Sequence, residues 1–95
     1  MRVLLVCAGG FSTSIIMENM REVASEEDVI DAYPVAELEE LIENYDVVLV
    51  GPQVRFRYPE LEKVAKEHGK KISLIDRKLY GTLDGTKILD LAKKL

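Results

Sequence analysis

The sequence predicts an α/β fold: an open four-stranded parallel sheet, strand order 2-1-3-4, flanked by helices on both faces. Three observations predict it. Four short runs of aliphatic and β-branched residues recur along the 95 residues. Segments with helical spacing of apolar residues separate them, which implies parallel strands joined by crossover helices. The best-defined runs, Val3–Val6 and Val47–Val50, are apolar at every position, as expected for strands covered on both faces.

The first strand is Arg2–Val6. A helix over Ser14–Ala24 follows, with Ile15, Ile16, Met20, Val23 and Ala24 on one side and Glu18, Arg21 and Glu22 towards the other. Val29–Tyr33, bounded by Glu26-Glu27-Asp28 and Pro34, is the second strand. A short helix spans Ala36–Asn44, with Leu38, Leu41 and Ile42 inward. Its glutamates 37, 39, 40 and 43 form a solvated face. Asp46–Val50, ended by Gly51-Pro52, is the third strand. Gln53–Tyr58 is ambiguous between loop and helix. Pro59 suits the first turn of a helix that reaches Glu67 or His68, and Gly69 closes it. Lys71–Ile75 is the fourth strand, and Asp76–Gly81 reads as a loop or short turn. Asp84 caps a last helix whose stripe is Ile88, Leu89, Leu91 and Ala92.

Right-handed crossovers favour an open doubly wound sheet, and the order 2-1-3-4 follows by analogy with flavodoxin-like folds. The chain then reverses direction between the first and third strands. Ligands bind outside the carboxyl ends of strands at such a switch. Cys7, Gly51-Pro52-Gln53 and Asp76 follow the first, third and fourth strands, so all three fall on that edge.

The length fits one domain, residues 1–95. Seventeen carboxylates against 13 Lys and Arg argue against nucleic acid and against docking on anionic lipid. No stretch approaches the ~20 apolar residues that span a bilayer, and the N-terminus lacks the pattern of a signal peptide. One cysteine forms no internal disulfide, which suits a reducing cytoplasm. One cysteine and one histidine also leave too few soft ligands for a structural metal site. No metal or organic cofactor is expected.

Cys7 carries the chemistry. It ends the first strand and opens Cys7-Ala8-Gly9-Gly10-Phe11-Ser12-Thr13-Ser14, which leads straight into a helix. Backbone N–H groups of such a loop, with the helix dipole, bind anions and stabilise a thiolate. Gly9 and Gly10 permit close approach of backbone to an anion. Ser12, Thr13 and Ser14 supply hydroxyl donors, and one of them is expected to cap the helix. The residues Ala8, Gly9, Gly10, Phe11, Ser12, Thr13 and Ser14 thus form a candidate phosphate cradle, with the sulfur of Cys7 placed to form phosphocysteine. A lone cysteine at a strand end is otherwise a small buried hydrophobe. The loop matches neither the Walker pattern nor Gly-x-Gly-x-x-Gly.

Three segments then share a specific resemblance: Cys7–Ser14, Leu49-Val50-Gly51-Pro52-Gln53-Val54, and Ile75–Gly85. In content, order and spacing the chain resembles the IIB component of the lactose/cellobiose-type sugar phosphotransferase system. The resemblance implies a phosphotransferase. Cys7 would accept a phosphoryl group from a phosphohistidine of a IIA protein. It would pass the group to a sugar, of the β-glucoside, chitobiose or lactose class, as a membrane IIC protein transports it. Ala8–Ser14 would be the cradle, with Gly10-Phe11 a local variation.

A competing enzyme class is the low-molecular-weight protein tyrosine phosphatase, which shares the fold class and a Cys-x5-Arg loop. Here Thr13 stands at the arginine position, so the bidentate phosphate grip is missing. No Asp-Pro acid loop appears late in the chain, since Asp76 is followed by Arg77. A regulatory binding module of the same fold is the non-enzyme alternative. Gln53, Arg55 and Arg57 are accessory candidates, able to meet phosphate, sugar or partner, against the simpler reading of solvated surface groups. Asp76 is expected to be structural because an anion repels phosphate. Tyr80 is expected to pack with a polar tip, and His68 to be an exposed helix-end histidine.

Overall fold

A computed structural model describes residues 1–8 and 11–95, except for the side chains of Phe11 and Ser12. The parallel sheet has the order β2-β1-β3-β4, with β1 Arg2–Cys7, β2 Val29–Pro34, β3 Val47–Val50 and β4 Lys71–Leu74. The α-helices are α1 Phe11–Val23, α2 Leu38–Leu41, α3 Tyr58–Glu67, α4 Arg77–Thr82 and α5 Gly85–Lys93. The expected fold class and strand order are both found.

Side chains alternate along each strand, so the sheet has two apolar faces. Val3, Leu5, Val47 and Leu49 pack with Ile16 and Met20 of α1 and with Ile88, Leu89 and Ala92 of α5. Leu4, Val6, Val48 and Val50 pack with Leu38 of α2 and with Leu61 and Ala65 of α3. By the same alternation Cys7 belongs to the face of Val3 and Leu5, under α1. The edge strand β2 ends on Pro34, opposite Cys7, where a residue with no N–H is tolerated.

Several boundaries differ from the sequence reading, each for a local reason. Helix α1 begins at Phe11, so Ser12, Thr13 and Ser14 lie in its first turn and none of them precedes it as a cap. Thr13, Ile16 and Met20 form its buried stripe, spaced i, i+3, i+7. Ile15 lies about 100° from Ile16 around the helix and is 46% exposed. Val23, the last residue, is 50% exposed. The segment expected as one helix over Ala36–Asn44 is a 3-10 turn Val35–Glu37, the single turn α2, and a second 3-10 turn Ile42–Asn44. The ambiguous Gln53–Tyr58 is a 3-10 segment, Pro52–Arg57, leading into α3.

The largest departure is α4, where a loop or short turn was expected. Asp76 caps it, its carboxylate accepting from the N–H groups of Lys78 (3.0 Å) and Leu79 (3.3 Å). That cap outweighs the weak helix propensity of Gly81 inside the helix. Leu83 ends α4 in the left-handed conformation, φ 57°. Asp84 then caps α5, accepting from Lys87 N–H at 3.0 Å, as its position in the sequence indicates.

Asp28 closes the amino edge of the sheet. The Ser25 N–H donates to its carboxylate at 3.2 Å, the Met1 ammonium lies at 3.2 Å and Lys93 at 3.3 Å. These partners, the Ser25 backbone contact foremost, hold the carboxyl at about 2, below its ordinary 3.8, against the opposing effect of burial. A depressed folded value means a stabilising contribution that is complete above the unfolded value and lost as pH falls through the folded one. Asp28→Asn is therefore expected to lower the melting temperature at pH 7. The gap to the parent protein should narrow between pH 4 and pH 2, as followed by thermal melts across that range.

Candidate functional site

The carboxyl end of β1 delivers Cys7 to the sheet edge. The structure sets it below the rim, 4% exposed. Gly51, following β3, is pressed against it: a Cβ there would lie 3.3 Å from Cys7 Cβ and 3.4 Å from the Val6 carbonyl oxygen. The Gly51 N–H continues the ladder by donating to Val6 O at 2.8 Å. Glycine at this position lets β3 leave the sheet without displacing the cysteine.

On the other side stands Thr13, in the first turn of α1 and 5% exposed. Its hydroxyl donates to Cys7 Sγ at 2.9 Å. The same oxygen lies 2.7 Å from the hydroxyl of Tyr80, which α4 carries in from 67 positions further along the chain. Tyr80 itself is 7% exposed and packs into the core between β1 and α5. A threonine hydroxyl has one proton to give. When that proton is given to sulfur, the phenol of Tyr80 is the donor in its bond to Thr13. Two elements, β1 and α1, thus meet at the sulfur, and α4 reaches it through the Thr13 hydroxyl.

The remaining sequence candidates are distributed unevenly. Ala8 is exposed beside Cys7, and Ser14 is exposed on α1. Gly9 and Gly10, with the side chains of Phe11 and Ser12, lie outside the described residues. Gln53 and Arg55 line a shallow depression of 250 Å³ together with Pro52, Arg77, Tyr80 and Gly81. Arg55 is anchored there by donating to the Pro52 carbonyl at 3.1 Å. Arg57 is turned elsewhere. It pairs with Glu60 and lines a separate groove of 610 Å³ between the Val35–Glu40 segment and α3, which contains none of Cys7, Thr13 or Tyr80. Asp76 is spent as the cap of α4, the structural role expected of it. His68, at the end of α3, pairs with Glu43 across the gap to the second 3-10 turn. That contact lowers Glu43 from its ordinary range, with the His68 hydrogen bond as the main cause.

Two contributors are invisible to motif reading. Tyr80 was expected to pack, yet its hydroxyl reaches the thiol's own donor. Arg77 was not singled out and shares the depression with Arg55. Alternation along β1 assigns Cys7 to the face of Val3 and Leu5, but it does not name Tyr80 as the neighbour there.

The arrangement holds a buried sulfur against a hydroxyl donor. The sulfur accepts a hydrogen bond from a buried hydroxyl, at a strand end that leads into a helix N-terminus. Among the described residues no cluster of three or more His, Cys, Asp or Glu has the geometry of a metal site. No described helix is long and apolar enough to cross a membrane.

Comparison with known proteins agrees with this geometry. Residues 2–91 match the family described as "PTS system, Lactose/Cellobiose specific IIB subunit". The chain is 36% identical to the oligo-beta-mannoside-specific EIIB component of Bacillus subtilis, covering 99% of this chain and 94% of that protein. It is 33% identical to the galactose-specific EIIB component of Lactococcus lactis, covering 98% and 94%. Among solved structures, the cellobiose-specific IIB component of Borrelia burgdorferi superposes with a TM-score of 0.80 at 37% identity, covering 99% and 89%. The lactose-specific IIB domain of Streptococcus pneumoniae has a TM-score of 0.87 at 21% identity, covering 99% and 95%, and shares the fold.

Proposed function

The chain belongs to the lactose/cellobiose-specific IIB subunits of the sugar phosphotransferase system, and from that premise we propose that Cys7 is the residue that carries the phosphoryl group. IIB components are phosphotransferases of sugar uptake. In the first step the Cys7 thiolate forms an S–P bond while the N–P bond of a donor phosphohistidine on a IIA protein breaks. The electron pair returns to the imidazole nitrogen. In the second step a sugar hydroxyl attacks phosphorus and loses its proton to solvent, the S–P bond breaks, and its pair returns to sulfur. The sugar is presented by a membrane IIC protein. Residues 1–95 act as one IIB domain, working in the cytoplasm.

The single observation that supports this reading is the Thr13 hydroxyl donating to Cys7 Sγ at the end of β1. It stabilises the sulfur as nucleophile and as leaving group, the two states between which a carrier alternates. Ala8–Ser14 complete the cradle, with backbone N–H groups binding the phosphoryl oxygens. Gln53 and Arg55 lie where they can meet sugar or partner. Relatives of 32–36% identity are named for oligo-beta-mannoside, galactose and cellobiose.

Thr13 occupies the place where a phosphatase of this fold has its arginine, and its hydroxyl is committed to sulfur and to Tyr80. Incubation with phosphorylated IIA protein is expected to add one phosphoryl group on Cys7, read by mass spectrometry. Aryl phosphates should not turn over. Ready aryl phosphate hydrolysis, or a phosphoryl group found on another residue, would overturn the assignment.

A further inference from the structure

We propose that Tyr80 is a positioning residue for phosphoryl transfer: its phenol holds the Thr13 hydroxyl so that the threonine proton is aimed at the sulfur of Cys7. The proposal rests on Cys7 being the carrier, and it extends the machinery to a helix that lies outside the phosphate loop.

Both hydroxyls are buried, and they lie 2.7 Å apart. Thr13 stands 2.9 Å from sulfur. Alone, the threonine hydroxyl rotates among several acceptors, and its proton is shared among them. With Tyr80 donating to the threonine oxygen, one lone pair is occupied and the proton is directed away from the phenol, towards Cys7. A hydroxyl that accepts a hydrogen bond also donates a stronger one. The relay Tyr80 to Thr13 to Cys7 is therefore most favourable when the sulfur bears charge, before the phosphoryl group arrives and after it leaves.

The rigidity of the relay comes from the fold. Tyr80 is locked in the core face formed with β1 and α5, and α4 is fixed at its start by the Asp76 cap. Thr13 is held by the buried stripe it shares with Ile16 and Met20. A route from the phenol to the sulfur runs through the Thr13 hydroxyl, 2.7 Å from one and 2.9 Å from the other. In this scheme the phenol acts through Thr13.

The test uses the full chain and two readouts. The first is the rate of Cys7 alkylation by iodoacetamide at pH 7, which needs no phosphoryl chemistry. The second is phosphoryl transfer from phosphorylated IIA protein. Tyr80→Phe is expected to slow transfer at saturating donor about fivefold, the loss of roughly one buried hydrogen bond. The donor concentration for half-maximal rate should not change. Alkylation should slow roughly threefold, since part of the lost thiolate is offset by higher intrinsic nucleophilicity. Thr13→Val should reduce both rates at least as much, Thr13→Ser should keep both near the parent values, and adding Tyr80→Phe to Thr13→Val should cost nothing more. Parent-like rates in Tyr80→Phe, or two losses that multiply in the double variant, would overturn the proposal. Should the parent protein take up no phosphoryl group, the carrier reading fails, and the alkylation series still decides whether the relay exists.

Discussion

Gly85→Ala is expected to destabilise the protein by about 3 kcal/mol, at the upper end for overpacking. For a chain of this size that lowers the melting temperature by roughly 15 °C. The reason is the crossing of α5 over α1. A Cβ on Gly85 would lie 2.3 Å from the Asn19 carbonyl carbon, 2.4 Å from its oxygen and 2.6 Å from Met20 N. All three are backbone atoms, so no side-chain rotation relieves the clash. One helix has to move, and with it the packing of Ile88, Leu89 and Ala92 against Ile16 and Met20. The Asn19 side chain, which donates to the Leu83 carbonyl at 2.7 Å, ties the same junction together and would be strained with it. Gly81 supplies the control. It also lies in a helix, yet a Cβ there meets nothing within 4 Å. Gly81→Ala is expected to be neutral or stabilising by up to ~1 kcal/mol, from helix propensity alone. Thermal melts of the two variants should therefore move in opposite directions. A melting temperature for Gly85→Ala within a few degrees of the parent would show that α1 and α5 part easily.

Cys7→Ser has the largest expected effect on function, a complete loss of phosphoryl uptake from phosphorylated IIA protein. Serine is small enough for the space bounded by Gly51 and Thr13, and it keeps an acceptor for the Thr13 hydroxyl. Its own hydroxyl is a far weaker nucleophile than a thiol at neutral pH. The melting temperature is expected to stay within a few degrees of the parent value. Mass spectrometry of the variant after incubation with the donor reads the result, with the parent protein as the positive control. A phosphoryl group retained by Cys7→Ser would place the acceptor elsewhere in the chain.

The parts of the molecule that sequence reveals are those set by local pattern. Unbroken apolar runs marked β1 and β3, and a thiol followed by two glycines and three hydroxyls marked the candidate site. Asp84 was legible as a cap because a clear apolar stripe follows it. The segment after Asp76 was not, because Gly81 reads as a breaker and six residues are too few to show a period. The helix start was misplaced by three residues, since Ser14 resembles a cap as well as any residue near it. Tyr80 was seen as a packing residue with a polar tip, without a partner for that tip. Its tie to Thr13 spans 67 positions and depends on how α4 seats against the sheet, which no local pattern encodes. Gly85 is silent for the same reason: its requirement comes from a neighbouring helix backbone. Arg55 and Arg57 look alike in sequence, but the turn that follows Pro52 sends them to different grooves.

The depth of Cys7 has a consequence for how its partners must be shaped. A cysteine with 4% of its surface in view cannot lean out to meet a visitor. If Cys7 is the carrier, the donor imidazole has to be thrust inward, and the accepting sugar after it, so both partners would need a protruding reactive group on a surface that fits around the opening. Slender alkylating agents should therefore outpace bulky ones by far more than on an unfolded peptide.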